Sequence, residues 1–102
     1  MPESHTERER KKVEMCSEDF QIINKLGLHA RAAVLFIKAA GSFQSEIKVI
    51  KDGVEVNGKS IMGILMLGAT HGSVITVTAR GVDARKAVIE LGKLIASKFG
   101  EE

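Results

Sequence analysis

His29 and Arg31 lie in the run Gly27-Leu28-His29-Ala30-Arg31-Ala32-Ala33, where an extended segment gives way to a helical pattern. A helix N-terminus leaves its first backbone N–H groups unpaired and carries roughly half a positive charge, so it attracts anions. An imidazole there can carry a phosphoryl group on one ring nitrogen. With an unperturbed pKa of about 6.5, histidine is a neutral nucleophile near pH 7 and leaves again as an imidazole. Arg31 adds a planar fork of donors suited to phosphate oxygens. From these residues alone, a capping or surface histidine without chemistry is the competing reading.

Other chemistries lack their parts. The chain has neither a Gly-x-x-x-x-Gly-Lys-Ser/Thr loop nor a Gly-x-Gly-x-x-Gly segment, and nothing resembles the strand-turn-helix nucleophile elbow of a serine hydrolase. His5, His29 and His71 have neither helical i, i+4 spacing nor a Cys/His cluster, so no metal and no cofactor is expected.

The elements that must position His29 follow from periodicity. Phe20, Ile22 and, less cleanly, Asn24 alternate with Gln21, Ile23 and Lys25 as a short strand, and Gly27 allows the turn into a helix over Ala30–Ala40. In that helix Ala33, Phe36, Ile37 and Ala40 form the apolar stripe. Ile47 and Val49 mark a strand that turns at Asp52-Gly53, a strong hairpin pair, into Val54 and Val56. Ser60 is placed to cap a short helix from Ile61 to about Leu67. After a turn at His71-Gly72, Val74, Ile75 and Val77 mark a further strand. Asp83 is placed to cap a long helix striped by Ala87, Val88, Leu91, Leu94 and Ile95. The order is βαββαβα, and apolar strand faces and helix stripes must bury against each other in an α+β two-layer sandwich.

Composition bounds the rest. A chain of 102 residues suits one domain with one core. Residues 1–17 read as a flexible N-terminal extension, disordered or loosely helical, and residues 18–102 as the folded domain. Trp and Tyr are absent, so the core must be aliphatic and the surface is poor in platforms for stacking unpaired bases. The lone Cys16 cannot form an internal disulfide, which points to a reducing, cytoplasmic setting. Apolar runs fall well short of the ~20 residues of a membrane span. The net charge is only +2, and the arm around Arg8, Arg10, Lys11 and Lys12 alternates with Glu7 and Glu9, which gives no strong case for nucleic acid.

Asn24-Lys25-Leu26-Gly27-Leu28-His29-Ala30-Arg31 resembles the active-site motif of HPr, the histidine-containing phosphocarrier of the bacterial phosphoenolpyruvate-dependent phosphotransferase system. Gly58-Lys59-Ser60-Ile61-Met62-Gly63-Ile64-Leu65-Met66-Leu67-Gly68 is similar to that family's second motif, in the right order and at the family's spacing. The resemblance runs from about Phe20 to Phe99. It implies an open-faced antiparallel sheet of order 1423 with three helices on one face. It also implies a carrier rather than an enzyme, without metal or cofactor, monomeric and not inserted in a membrane. His29 would take the phosphoryl group on Nδ1 from phosphorylated enzyme I, with Arg31 contacting it, and pass it to an enzyme IIA domain. Ser60 would be open to phosphorylation by HPr kinase/phosphorylase, and Ile61, Met62 and Leu65 would form the apolar docking patch. Met66 and Ile64 are then the core candidates of that helix. One departure is visible: most members have proline after the arginine, where this chain has Ala32. A regulatory module that binds partners according to its phosphorylation, with little sugar flux, is the second reading. A small-ligand or RNA-binding α+β domain is the third.

Overall fold

Strand β4, Val74–Gly81, sets the pattern of the sheet: Ile75, Val77 and Ala79 are fully buried, while Val74, Thr76, Thr78 and Arg80 alternate onto the other face. The computed structural model describes residues 13–101. Strand β1 (Glu14–Gln21) pairs antiparallel along one edge of β4, and β2 (Glu46–Lys51) pairs antiparallel along the other. Asp52 and Gly53 turn β2 into β3 (Val54–Asn57), which pairs with β2. The sheet order is β1-β4-β2-β3, the 1423 order that the resemblance implies. The helices are α1 (Ala30–Gly41), α2 (Ile61–Met66) and α3 (Ala84–Ala96).

One core joins the two layers. Ala33, Phe36 and Ala40 of α1 and Ala87, Val88, Leu91 and Ile95 of α3 bury with Ile47, Val49, Ile75 and Val77 of the sheet. Ile37 and Leu94, assigned to the stripes, pack at the margin. Gly92 leaves room for Phe20, since a Cβ there would lie 2.6 Å from the ring. The opposite sheet face is polar. Ser17 and Thr78 share a hydroxyl hydrogen bond of 3.0 Å, the Thr76 hydroxyl donates to Asp19 at 2.6 Å, and Lys48 pairs with Glu55 at 3.1 Å.

Two expectations need correction. The folded domain starts earlier than residue 18: Glu14, Met15, Cys16 and Ser17 pair with Gly81, Arg80, Ala79 and Thr78. The strand also ends at Gln21, so Ile22 and Asn24, expected within it, lie beyond it; its start was hidden because an exposed edge shows no apolar alternation. The part of the expected arm before residue 13 lies outside the described residues. Asp83 is at the N-cap of α3 but does not bond its own helix. Its carboxylate accepts the amides of Gln44 and Ser45, each at 2.9 Å, and the Ser45 hydroxyl. Asp83 therefore ties the start of α3 to the α1–β2 connection, where Ser45 is 1% exposed. The Ser45 hydroxyl first, and the Gln44 amide next, hold this carboxyl below its ordinary pKa. A carboxyl whose pKa is depressed in the folded state stabilises fully above its unfolded pKa, and that contribution is lost as pH falls through the folded value. Asp83→Asn is expected to melt below the parent near neutral pH and to show a shallower loss in acid. Melting curves across the acid range check this, and an unchanged acid slope removes Asp83 from the linkage.

Candidate functional site

The chain from Ile22 to Leu28 is strapped to the segment 69–73. Ile22 donates to the Ser73 carbonyl at 2.8 Å, Gly72 to Ile22 at 2.7 Å, and Leu28 to Ala69 at 2.9 Å. Gly27 has φ +70°, and a Cβ there would lie 2.6 Å from the Ala69 carbonyl oxygen. Only glycine satisfies both the backbone angle and the approach. With Leu28, Ala32 and Ala33 buried, the start of α1 is fixed against the core.

His29 is the N-cap residue of α1, with φ −76° and ψ 179°, but its ring does not cap the helix. Its carbonyl accepts the first helical hydrogen bond, from Ala33 at 2.8 Å. The amides of Ala30, Arg31 and Ala32 precede that bond and have no carbonyl to meet within the helix. The first turn carries no acidic side chain. Arg31 is exposed, and among the described residues no hydrogen bond or ion pair holds its guanidinium. Ala32 is buried, and its amide stays with the unpaired set.

The His29 ring, 27% exposed, is held through Nε2 by the carboxylate of Glu101, 72 residues away. The other carboxylate oxygen accepts from Asn24 Nδ2 at 3.1 Å, and the same Nδ2 donates to the Gly27 carbonyl at 2.8 Å. Asn24 is completely buried, with its Oδ1 unpartnered. The hydrogen bond from His29 first, then that from Asn24, lowers the Glu101 pKa, and the Arg31 charge adds to the effect. An ionised carboxylate only accepts hydrogen bonds, so Nε2 carries a proton, and in the neutral ring Nδ1 then keeps its lone pair. Glu101 went unrecognised in the sequence, where it reads only as part of an acidic end.

Its position depends on an unusual backbone. Lys98, Phe99 and Gly100 are left-handed, with φ of 59°, 54° and 77°. Each non-glycine residue there costs roughly 1–2 kcal/mol. Phe99, 2% exposed, anchors the turn, and burying such a ring contributes about 1.5–3 kcal/mol in return. Gly100 and Glu101 close the turn onto the carbonyls of Ser97 and Lys98 at 3.0 and 2.9 Å.

Ser60 caps α2 as expected, its hydroxyl oxygen accepting from the Gly63 amide at 3.1 Å. Lys59 is drawn aside to the Phe43 carbonyl at 2.8 Å. Ile64 and Leu67 are buried and Ile61 packs at the core margin, an i, i+3 stripe. Met66, expected in the core, is instead 75% exposed because this stripe turns it outward. It adds to an apolar surface with Met62, Leu65 and Leu26, which are also exposed. His71 lies exposed in its turn, and among the described residues no three metal-ligating side chains converge. Among the described residues, no helix is long and apolar enough to cross a membrane.

Removing the cap with Ser60→Ala is expected to cost about 1 kcal/mol, read from the urea midpoint, with the fold retained. Ala32→Pro removes an amide that bonds no helical carbonyl, so it is expected to change stability by less than about 1 kcal/mol. A larger loss in the same titration means that the backbone at Ala32 does not accept a proline ring.

Comparison with known proteins places this geometry. Residues 16–97 match the family model described as the PTS HPr component phosphorylation site. The phosphocarrier protein HPr of Cupriavidus necator is 47% identical over 87 residues, covering 85% of this chain and 98% of that protein. HPr of Neisseria meningitidis is 48% identical with the same coverage. A crystal structure of HPr from Thermoanaerobacter tengcongensis superposes with a TM-score of 0.83 at 49% identity, covering 85% of this chain and 98% of that one. A Bacillus anthracis HPr structure gives 0.75 at 44% identity, covering 78% of this chain and 94% of that one. The chain belongs to the HPr family of phosphotransferase-system phosphocarriers.

Proposed function

We propose that this HPr-family chain accepts a phosphoryl group on His29 Nδ1 from phosphorylated enzyme I and passes it to enzyme IIA-type acceptors. The observation that carries this reading is the division of labour on the imidazole: Nε2 is committed to Glu101, while Nδ1 makes no hydrogen bond among the described residues. The unpaired amides of Ala30, Arg31 and Ala32 and the unheld Arg31 guanidinium supply donors for the phosphoryl oxygens. Ile61, Met62 and Leu65, with Leu26 and Met66, supply an apolar surface on which protein donors and acceptors can dock, and methionine adapts to different partners. The carrier works as a monomer in this scheme. One relative, from Thermoanaerobacter tengcongensis, has been solved as an HPr dimer.

Ser60 is the proposed regulatory site for HPr kinase/phosphorylase. A phosphate on an N-cap residue is compatible with its helix, so its effect falls on docking. Two unit charges ~10 Å apart repel by about 0.4 kcal/mol in water and about 1.7 kcal/mol at an effective dielectric near 20, enough to weaken an acidic partner several-fold.

Incubation with enzyme I and phosphoenolpyruvate is expected to add one phosphoryl group that acid removes and alkali spares. His29→Ala is expected to take none. Equal labelling of that variant moves the acceptor to another residue.

A further inference from the structure

We infer that Glu101 is a positioning residue for phosphoryl transfer: steered by Asn24 and delivered by the left-handed turn at Lys98–Gly100, its carboxylate keeps the His29 proton on Nε2 and presents Nδ1 as the nucleophile. The inference rests on the phosphocarrier reading above and adds to it a group with a separate, spectroscopic signature.

The placement of the carboxylate carries the argument. An acidic residue that merely complemented the helix N-terminus would set its oxygens on the free amides of α1. Glu101 does not. One oxygen meets His29 Nε2 and the other meets Asn24 Nδ2, leaving the first-turn amides to an incoming anion. The carboxylate thus approaches the ring on the nitrogen that does not react. Asn24 is itself fixed by the Gly27 carbonyl and by complete burial, so the second oxygen is oriented by a rigid donor. The side chain of Glu101 is only 14% exposed, although it lies at the end of the described chain. Holding it there requires two non-glycine residues in the left-handed region, a conformation that persists where surrounding packing imposes it. Phe99 supplies that packing.

The chemistry gives the carboxylate a task in both directions of transfer. The Nδ1 lone pair of neutral His29 forms a bond to phosphorus. The bond from phosphorus to the donor's histidine nitrogen breaks, and its electron pair returns to that nitrogen. No proton leaves either ring, so the positive charge moves from the donor's imidazolium to that of His29. Glu101 then faces an imidazolium N–H rather than a neutral one. The pairing strengthens as charge develops on the ring, as with the carboxylate partner of a catalytic histidine in hydrolase triads. Delivery to an acceptor reverses the same charge movement.

The test combines nitrogen NMR of the His29 ring with transfer kinetics. In alkaline buffer, the parent is expected to show a protonated Nε2 and an unprotonated Nδ1. Glu101→Ala is expected to give a mixture of the two tautomers and to slow transfer from phosphorylated enzyme I by about tenfold, the size of effect found when a metal-bound histidine loses its outer carboxylate partner. Glu101→Gln, close in shape, guards against a folding defect: its amide can donate to Nε2 as well as accept from it, so it should also lose the single tautomer while melting near the parent. A parent ring protonated on Nδ1, or variants that keep both tautomer and rate, overturns the inference. If the parent itself takes no phosphoryl group, the phosphocarrier reading fails, and the ring spectra still show separately whether Glu101 fixes the proton.

Discussion

The backbone contact between Gly27 and the Ala69–Thr70 segment is the constraint from which the site is built. The approach has no room for a β-carbon, and the adjoining Leu28 amide is bonded to the Ala69 carbonyl. Together these fix where α1 begins. Once that point is set, the buried methyls of Ala32 and Ala33 fix the helix's rotation, and its open amides must face outward beside His29. The same contact brings the segment following α2 alongside the His29 loop, so the apolar surface of α2 and the reactive ring belong to neighbouring parts of the molecule. A change at Gly27 therefore acts on the histidine through the backbone, without touching the ring.

Much of this was legible in the residues. The alternation in β2 and β4, the Asp52-Gly53 turn and the helical stripes each had a period strong enough to name an element. The sheet order came from family resemblance rather than periodicity. His29 was readable because its chemistry and its place before a helix occur within a few residues. Three things were not readable, for distinct physical reasons. The start of β1 lacks an alternating pattern because an edge strand is wetted on more than one side. Asp83 has the residue type and position of a cap, yet its oxygens are better satisfied by Gln44 and Ser45, which are neighbours only after folding. Glu101 reaches His29 across most of the chain, through a left-handed turn that no local propensity favours. In the short helix α2, six residues leave the helical phase poorly determined, which is how Met66 was assigned to the core although it faces outward.

The electrostatics of the site separate anion binding from anion repulsion. The first-turn amides of α1 and the Arg31 guanidinium hold no carboxylate among the described residues, and the fixed negative charge of Glu101 is attached to Nε2 of the His29 ring. Charge of both signs is thus kept close to one imidazole, and Arg31 favours the ionised Glu101 through space without a direct ion pair among the described residues. The completely buried Asn24 makes the separation stable, because its amide can only donate to the oxygen that Glu101 turns toward it.

The left-handed turn also has a topological consequence. By folding the segment after α3 back onto the ring, it makes the two ends of the described fold unequal in their distance from His29. Glu101, the last described residue, sits against the His29 ring, so a change at this turn acts directly on the surroundings of His29. Strand β1 starts at Glu14, which pairs with Gly81 at the far end of the sheet from the Gln21–Val74 pair that leads into the His29 loop. A change near the start of β1 therefore lies remote from the His29 loop.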